Sequence, residues 1–316
     1  MPGTITVRKA PKGPFITIQD LGRYGHQKSG IPVAGALDRF ALETANWLVG
    51  NPPGAACLEV TLIGPEIVLD QDTVISITGA DLSATLDGRP ISLWTSHDVS
   101  AGSVLQFGKP VRGVRAYLAV AGGIDVSIVM GSRSTYLKGH IGGFQGRALQ
   151  TGDILPIGEP AVTFAPRRLS KTPDYIASHG EETVVRVVLG PQEDHFTQAA
   201  IATFLSSTYR ITPQSDRMGY RLEGPPLAHR GRAEIISDAI PEGAIQVPAN
   251  GQPIILLADR QTTGGYPKIA TVISADLPKL AQSAPGAIVR FVAVTVEEAQ
   301  EIARNAAREL AQVMLA

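Results

Sequence analysis

Apolar and polar positions alternate over short stretches through most of the chain. Thr4–Arg8 and Phe15–Ile18 read as strands. Cys57 to Val120 reads as successive short strands, with turns at Gly64-Pro65, Asp87-Gly88 and Gly102. Gly152–Ile157, Thr183–Leu189, Ala244–Val247, Ile254–Ala258 and Gly286–Val294 continue the pattern, and Pro248-Ala249-Asn250-Gly251 supplies a turn. Four segments carry helical spacing instead. Asp38 is a good N-cap for a helix that buries Ala41, Leu42, Ala45, Leu48 and Val49 and stops at Gly50-Asn51-Pro52-Pro53. Asp194–Leu205 and Asp276–Gln282 predict short helices. Thr295 with Glu298 forms a capping box, and Ala299, Ile302, Ala303, Ala306, Leu310 and Val313 then make one apolar face. The expected class is mainly β with a few helices.

Between these elements lie polar, glycine-rich loops. The stretch Leu256–Ile273, LLADRQTTGGYPKIATVI, runs from a strand through Asp259–Thr263, turns on Gly264-Gly265 and re-enters a strand after Tyr266-Pro267-Lys268. Paired glycines let a ligand or another backbone approach closely, so it reads as a binding loop; an ordinary hairpin with a wide loop is the alternative. Gln19–Gly30 and Ser127–Arg147 lack periodicity, and the second carries Arg133, Tyr136, Lys138, His140 and Arg147 among five glycines. Ser215–Arg221 is a compact charged turn. A faint repeat, Gly102-Ser103-Val104-Leu105-Gln106-Phe107 against Gly286-Ala287-Ile288-Val289-Arg290-Phe291, with a weaker copy at Gly152-Asp153-Ile154-Leu155, suggests two related β-barrel-like domains. Pro166–Tyr175, PRRLSKTPDY, is the expected boundary, giving domains 1–170 and 171–316.

Composition narrows the function. With net charge −1 and no basic stripe, no nucleic-acid partner is expected. A single cysteine, Cys57, excludes an intramolecular disulfide and suits a reducing compartment. No apolar signal segment opens the chain and no run reaches membrane-spanning length, so a cytoplasmic protein without a membrane partner is expected. P-loop, dinucleotide and nucleophile-elbow motifs are missing. The six histidines are scattered without metal-ligand spacing, so no metal is expected. What remains is cations in glycine-rich loops, which suit a carboxylate, carboxyphosphate or phosphate ligand. Gln246, Gln261 and Tyr266 suit hydrogen bonding to an amide or lactam. The structural alternative is that Arg23 and Asp38 pin a loop by a salt bridge and that Asp216-Arg217 caps a turn.

Three stretches carry a family likeness. Gln19-Asp20-Leu21-Gly22-Arg23-Tyr24-Gly25, then Gly30-Ile31-Pro32 and Gly35-Ala36-Leu37-Asp38, resemble the opening signature of the 5-oxoprolinase C-subunit family. That family is also called KipA-like, the urea amidolyase-related biotin-dependent carboxyltransferase family, or "allophanate hydrolase subunit 2". Asn46 with Gly50-Asn51, Asp216–Leu222, Gly243–Pro248 and Asp259–Ala270 match its later motifs, so the resemblance spans essentially the whole chain. It implies two cyclophilin-like β-barrel domains. It also implies a heteromer with two partners of the 5-oxoprolinase complex, a KipI-like B-type subunit with an A-type subunit. That complex opens 5-oxo-L-proline to L-glutamate at the expense of ATP; the chain is expected to be inactive alone. The related domain of urea carboxylase moves a carboxyl group from carboxybiotin to urea. This chain has no biotin-carboxylase segment and no Ala-Met-Lys-Met motif, so biotin is not supported as its own cofactor.

Under that resemblance, Arg23 or Lys268 holds an anionic group and Asp20 or Asp259 serves as acid or base. Gln261 and Tyr266 orient the amide, and Gln246, Thr262, Gly264, Gly265 and Arg217 complete the expected binding set. Two other readings stay open: a non-catalytic module that sequesters the KipI-like partner, and, from the fold alone, a prolyl isomerase.

Overall fold

The computed structural model describes residues 3–160, 166–169, 173–176 and 181–315, with side chains in the last helix described as far as residue 311. The described residues fall into two compact units. The first lies within Met1–Tyr24, Ala34–Ile176 and Gln312–Ala316, the second within Gly25–Val33 and Ala177–Ala311. Part of the expected boundary, residues 170–172, lies outside the described residues.

The first unit carries its strands as two sheets. A six-stranded sheet runs in the order Ile154–Pro156, Thr4–Lys9, Glu66–Leu69, Val104–Gln106, Thr85–Leu86, Arg89–Pro90. A five-stranded sheet runs Ile16–Gln19, Cys57–Thr61, Arg112–Val120, Thr73–Asp81, Ser96–Val99. Ile5, Val7, Ile67, Leu69 and Leu105 of the one pack with Ile18, Leu58, Val60, Ile75 and Leu118 of the other in a single buried cluster. Alternation along each strand sends these residues to one face, as the period of two requires. Helix α1 (Arg39–Leu48) covers the five-stranded sheet through Ala41, Leu42 and Ala45, which pack with Tyr117 and Ala119. Asp38 caps it as expected, accepting from the Ala41 amide at 3.0 Å. The Ser76 and Thr78 hydroxyls donate to the Ala45 and Ala41 carbonyls of this helix at 2.8 and 2.7 Å.

The second unit is a closed barrel. Its strands follow the order Glu182–Leu189, Lys268–Val272, Ala244–Gln246, Ile254–Leu256, Gly219–Glu223, Thr208–Ile211, Ile288–Ala293, and the last closes on the first in parallel. Helix α2 (Gln198–Ser206) lays Phe204 on Phe291, ring centroids 4.5 Å apart, with Tyr209 beside both. The expected helix at Asp194 starts later. A 3-10 turn at Glu193–His195 comes first, and Thr197 then caps α2 by accepting from the Ala200 amide. Helices α3 (Leu277–Ala281) and α4 (Val296–Leu315) follow. The capping box at α4 forms in both directions, Thr295 N to Glu298 Oε2 at 2.8 Å and Glu298 N to Thr295 Oγ1 at 3.2 Å.

The β class expected from the alternation is present, and one of the two expected barrels is a closed barrel in the second unit. The glycine repeat is a shared way of entering a strand: Gly102, Gly152 and Gly286 have φ of 84°, 92° and 91°, where other residues are strained.

The hairpin alternative for the loop after Ile254–Leu256 fails. Ile254–Leu256 and Lys268–Val272 are not partners; each pairs antiparallel with Ala244–Gln246, which lies between them. Residues 257–267 therefore cross over that central strand. The true hairpin is Ala244–Gln246 with Ile254–Leu256, joined through the Pro248–Gly251 turn.

Candidate functional site

The crossing loop and the strap Glu234–Ile240 are tied together in the second unit. The Ile235 amide donates to the Gly265 carbonyl and the Ile240 amide to the Thr262 carbonyl. Asp238-Ala239 pairs with Thr263-Gly264 as a two-residue ribbon outside the barrel. Arg260 Nε donates to the Ile240 carbonyl at 3.0 Å. The side chains of Ile240 and Gln246 close on Gly264, where a Cβ would stand 2.7 Å from Ile240 Cδ1 and 2.8 Å from Gln246 Nε2.

Lys268 sits at the end of this loop. The register slips between Ile245 and Gln246, so Gln246 faces Lys268 while Ile245 faces Ala270. Such a bulge redirects a side chain out of the strand's alternation. The Lys268 side chain is 2% exposed, and Nζ donates to Asp238 Oδ2 at 2.7 Å and to the Ala239 carbonyl at 3.2 Å. Asp238 Oδ2 also accepts from Gln192 Nε2 at 3.2 Å, and Oδ1 accepts from the Ala239 amide at 2.8 Å. The bond from Lys268 and then that from the Ala239 amide hold the Asp238 carboxyl below the usual carboxylate range. Gln192 Oε1 in turn accepts from the Lys268 backbone amide at 3.1 Å. Gln246 is buried and its Nε2 donates to the Tyr266 carbonyl at 3.1 Å, which shapes the loop tip. Gln261 and the Tyr266 ring are exposed.

Arg217 and Asp259 form a two-pronged pair, Nε to Oδ2 and Nη2 to Oδ1, each at 3.1 Å. The Asp259 amide donates to the Arg217 carbonyl as well. This pair ties the charged turn 215–221 to the start of the crossing loop. Asp216, as the structural alternative held, caps the turn by accepting from the Met218 amide at 2.7 Å.

Asp20 and Arg23 belong to the first unit. Asp20 Oδ1 accepts from the Ser132 and Ser134 hydroxyls at 2.7 and 2.5 Å and from the Gly22 amide at 2.8 Å; Oδ2 accepts from the Arg133 amide at 2.6 Å. Arg23 is fully buried, with Nε donating to the Val129 carbonyl and Nη2 to the Ser134 carbonyl. Together they knit loop 19–25 to loop 127–147. Arg133 donates to Asp125 and Arg147 to Asp153, so these two cations of the second loop bind within it or beside it.

The structure thus gathers Lys268, Gln246, Gly264, Gly265 and Tyr266 around one loop. Sequence reasoning missed Asp238 and Gln192. No spacing signals a contact between residues 30 positions apart. Among the described residues no cluster of three or more His, Cys, Asp or Glu can hold a metal ion, and no helix is long and apolar enough to cross a membrane.

Comparison with known proteins gives a consistent result. Residues 29–293 match the carboxyltransferase domain, subdomain A and B. The chain is 42% identical over 308 residues to the C subunit of 5-oxoprolinase from Escherichia coli (strain K12), covering 95% of both chains. It is 34% identical over 306 residues to urea amidolyase of Saccharomyces cerevisiae, covering 92% of this chain and 17% of that one. The crystal structure of Kluyveromyces lactis urea amidolyase superimposes with a TM-score of 0.90 at 29% identity, over 99% of this chain and 20% of that chain.

Proposed function

Because the chain belongs to the family of the carboxyltransferase domain, subdomain A and B, we propose that it is a subunit of a 5-oxoprolinase that opens 5-oxo-L-proline to L-glutamate. The observation that carries this is the 42% identity to a 5-oxoprolinase C subunit over 95% of both chains. ATP is a co-substrate of the complex, and the partners are a KipI-like B-type subunit with an A-type subunit. A lactam carbonyl is a poor electrophile. Phosphorylation of its oxygen by ATP activates it, and cations stabilise the charge that develops. In this chain Lys268 holds the substrate carboxylate, since its ammonium is already built to bind one. Gln261 and Tyr266, exposed on the crossing loop, orient the amide. Gln246, Gly264 and Gly265 shape the loop, and Arg217 with Asp259 anchors it. A cytoplasmic setting belongs to the same reading, supported by the single buried thiol of Cys57.

The test is ATP-dependent glutamate release from 5-oxoproline by the chain alone, with the KipI-like partner, and with both partners. Release in the full mixture and not by the chain alone is the expected outcome. No release in any mixture, with tight binding to the KipI-like partner intact, overturns the reading and favours a sequestering module. A second reading, carboxyl transfer to an amide from a carrier on another chain, is favoured by the TM-score of 0.90 to urea amidolyase. It predicts carboxylation of urea where 5-oxoproline is inert.

A further inference from the structure

We infer that Asp238 is a displaceable counter-ion: it occupies the place at Lys268 that a substrate carboxylate takes, and so sets which anions the site admits. The inference rests on the proposed role of Lys268. Four observations support it. The two partners are unequally buried, with Lys268 2% and Asp238 50% exposed. Pulling the carboxylate into water is easy, whereas the ammonium stays in the protein and needs a new anion. Second, Lys268 Nζ and Gln192 Nε2 converge on a single oxygen, Asp238 Oδ2, at 2.7 and 3.2 Å. Departure of Asp238 leaves two donors from two different segments aimed at one carboxylate-oxygen position.

Third, the segment that carries Asp238 is lightly held. Its ribbon is two residues long on each side, Asp238-Ala239 against Thr263-Gly264, and Ile236 is 94% exposed. Ribbons of that length with little buried apolar surface open at low free energy. Fourth, a firm point lies beside it. Ile240 is buried with Ala244 and Leu256 and bonded through its carbonyl to Arg260. Movement of residues 234–239 therefore pivots at Ile240 and leaves the barrel strands in register. A cationic or neutral ligand cannot replace Asp238 without leaving the ammonium without a counter-ion, so the pair selects carboxylates over uncharged and cationic ligands.

The test reads the ammonium directly. Reductive methylation of the assembled complex, followed by peptide mass spectrometry at Lys268, is compared for wild type and Asp238→Asn. Loss of the counter-ion is expected to raise labelling by about tenfold, and 5-oxoproline is expected to protect the residue. In turnover, kcat/KM for 5-oxoproline is expected to rise about tenfold, carried by KM. Equal labelling in the two proteins, or a rise in KM, overturns the inference. Protection by acetate but not by 5-oxoproline upholds the counter-ion and overturns the 5-oxoproline reading. Should the variant fail to fold, amide exchange in the wild-type complex decides. The Ala239 and Ile235 amides exchange faster on adding 5-oxoproline or acetate if the strap is displaced, and no change with either anion overturns the inference.

Discussion

The hydroxyl of Tyr117 donates to Glu59 Oε2 at 2.7 Å while accepting from the Asp38 amide at 2.8 Å. One phenol thus joins the central strand of the five-stranded sheet to the N-terminus of α1, in a wholly buried setting. Tyr117→Phe keeps the ring and removes both bonds. We expect it to destabilise the protein by about 2 kcal/mol, read from urea unfolding. Burial first, then the charges of Glu59 and Asp38, push the phenol well above its ordinary range. Its folded value is raised, so its contribution is complete below about pH 10 and is lost as pH rises beyond that. The Phe variant should lack this part of the alkaline limb.

Asp276 is fully buried and accepts from the Arg186 amide, Nε and Nη2 at 2.7, 2.9 and 2.6 Å, with Lys279 Nζ at 2.9 Å. Burial alone raises its carboxyl, but the bonds from Arg186 and Lys279 together outweigh it and leave the value below the usual range. A depressed carboxyl contributes stability above about pH 4, lost as pH falls through its folded value. Asp276→Asn should cost about 3 kcal/mol at pH 7 and flatten the acid limb. Urea titrations at neutral and acid pH check both.

Gly142 has φ of 67°, and a Cβ there would lie 2.2 Å from the Ser134 carbonyl oxygen and 2.6 Å from Arg23 Nη2. The clash is with backbone, so no side-chain rotation relieves it. Gly142→Ala should destabilise by about 3 kcal/mol, measured by thermal unfolding, and disturb the packing of loop 127–147 on Arg23. Gly131→Ala, with open space around it, should cost about 1 kcal/mol from φ alone.

Lys268→Met tests the proposed anion site from the opposite side to the Asp238 variant. The carboxylate left behind is half exposed and water solvates it, so stability should fall by about 1 kcal/mol or less. Turnover by the reconstituted complex should fall about 100-fold or more. Unchanged turnover removes Lys268 from the site.

Local chemistry was the legible part of this chain. The Asp38 cap, the Thr295–Glu298 box and the turn at Pro248–Gly251 all depend on residues within a few positions of each other, and each stands as read. The α4 face is equally local: Ala299, Ile302, Ala303, Ala306 and Leu310 are its half-buried positions. Strand order was not legible, since nothing in Ile254–Ile273 says that Ala244–Gln246 lies between its two strands. Nor were the partners of buried charges. Asp20 meets Ser132 and Ser134 from 112 and 114 residues away, a contact that only the fold creates. Arg23 also reaches the Val129 and Ser134 carbonyls, distant partners of the same kind, while Asp38 caps α1 locally.

The sheet edges of the first unit bear on how such a chain meets other chains. Pro156, at one end of the six-stranded sheet, has its carbonyl taken by the Asp125 amide, and Pro90, at the other end, lacks a donor. In the five-stranded sheet, Ile16 and Ile18 are capped by the Leu149 and Thr135 amides, and Ser96 donates to the Arg167 carbonyl. The barrel of the second unit closes on itself and has no edge to offer. Addition of a foreign strand, the route by which β proteins aggregate, is hindered wherever these backbone groups are already taken.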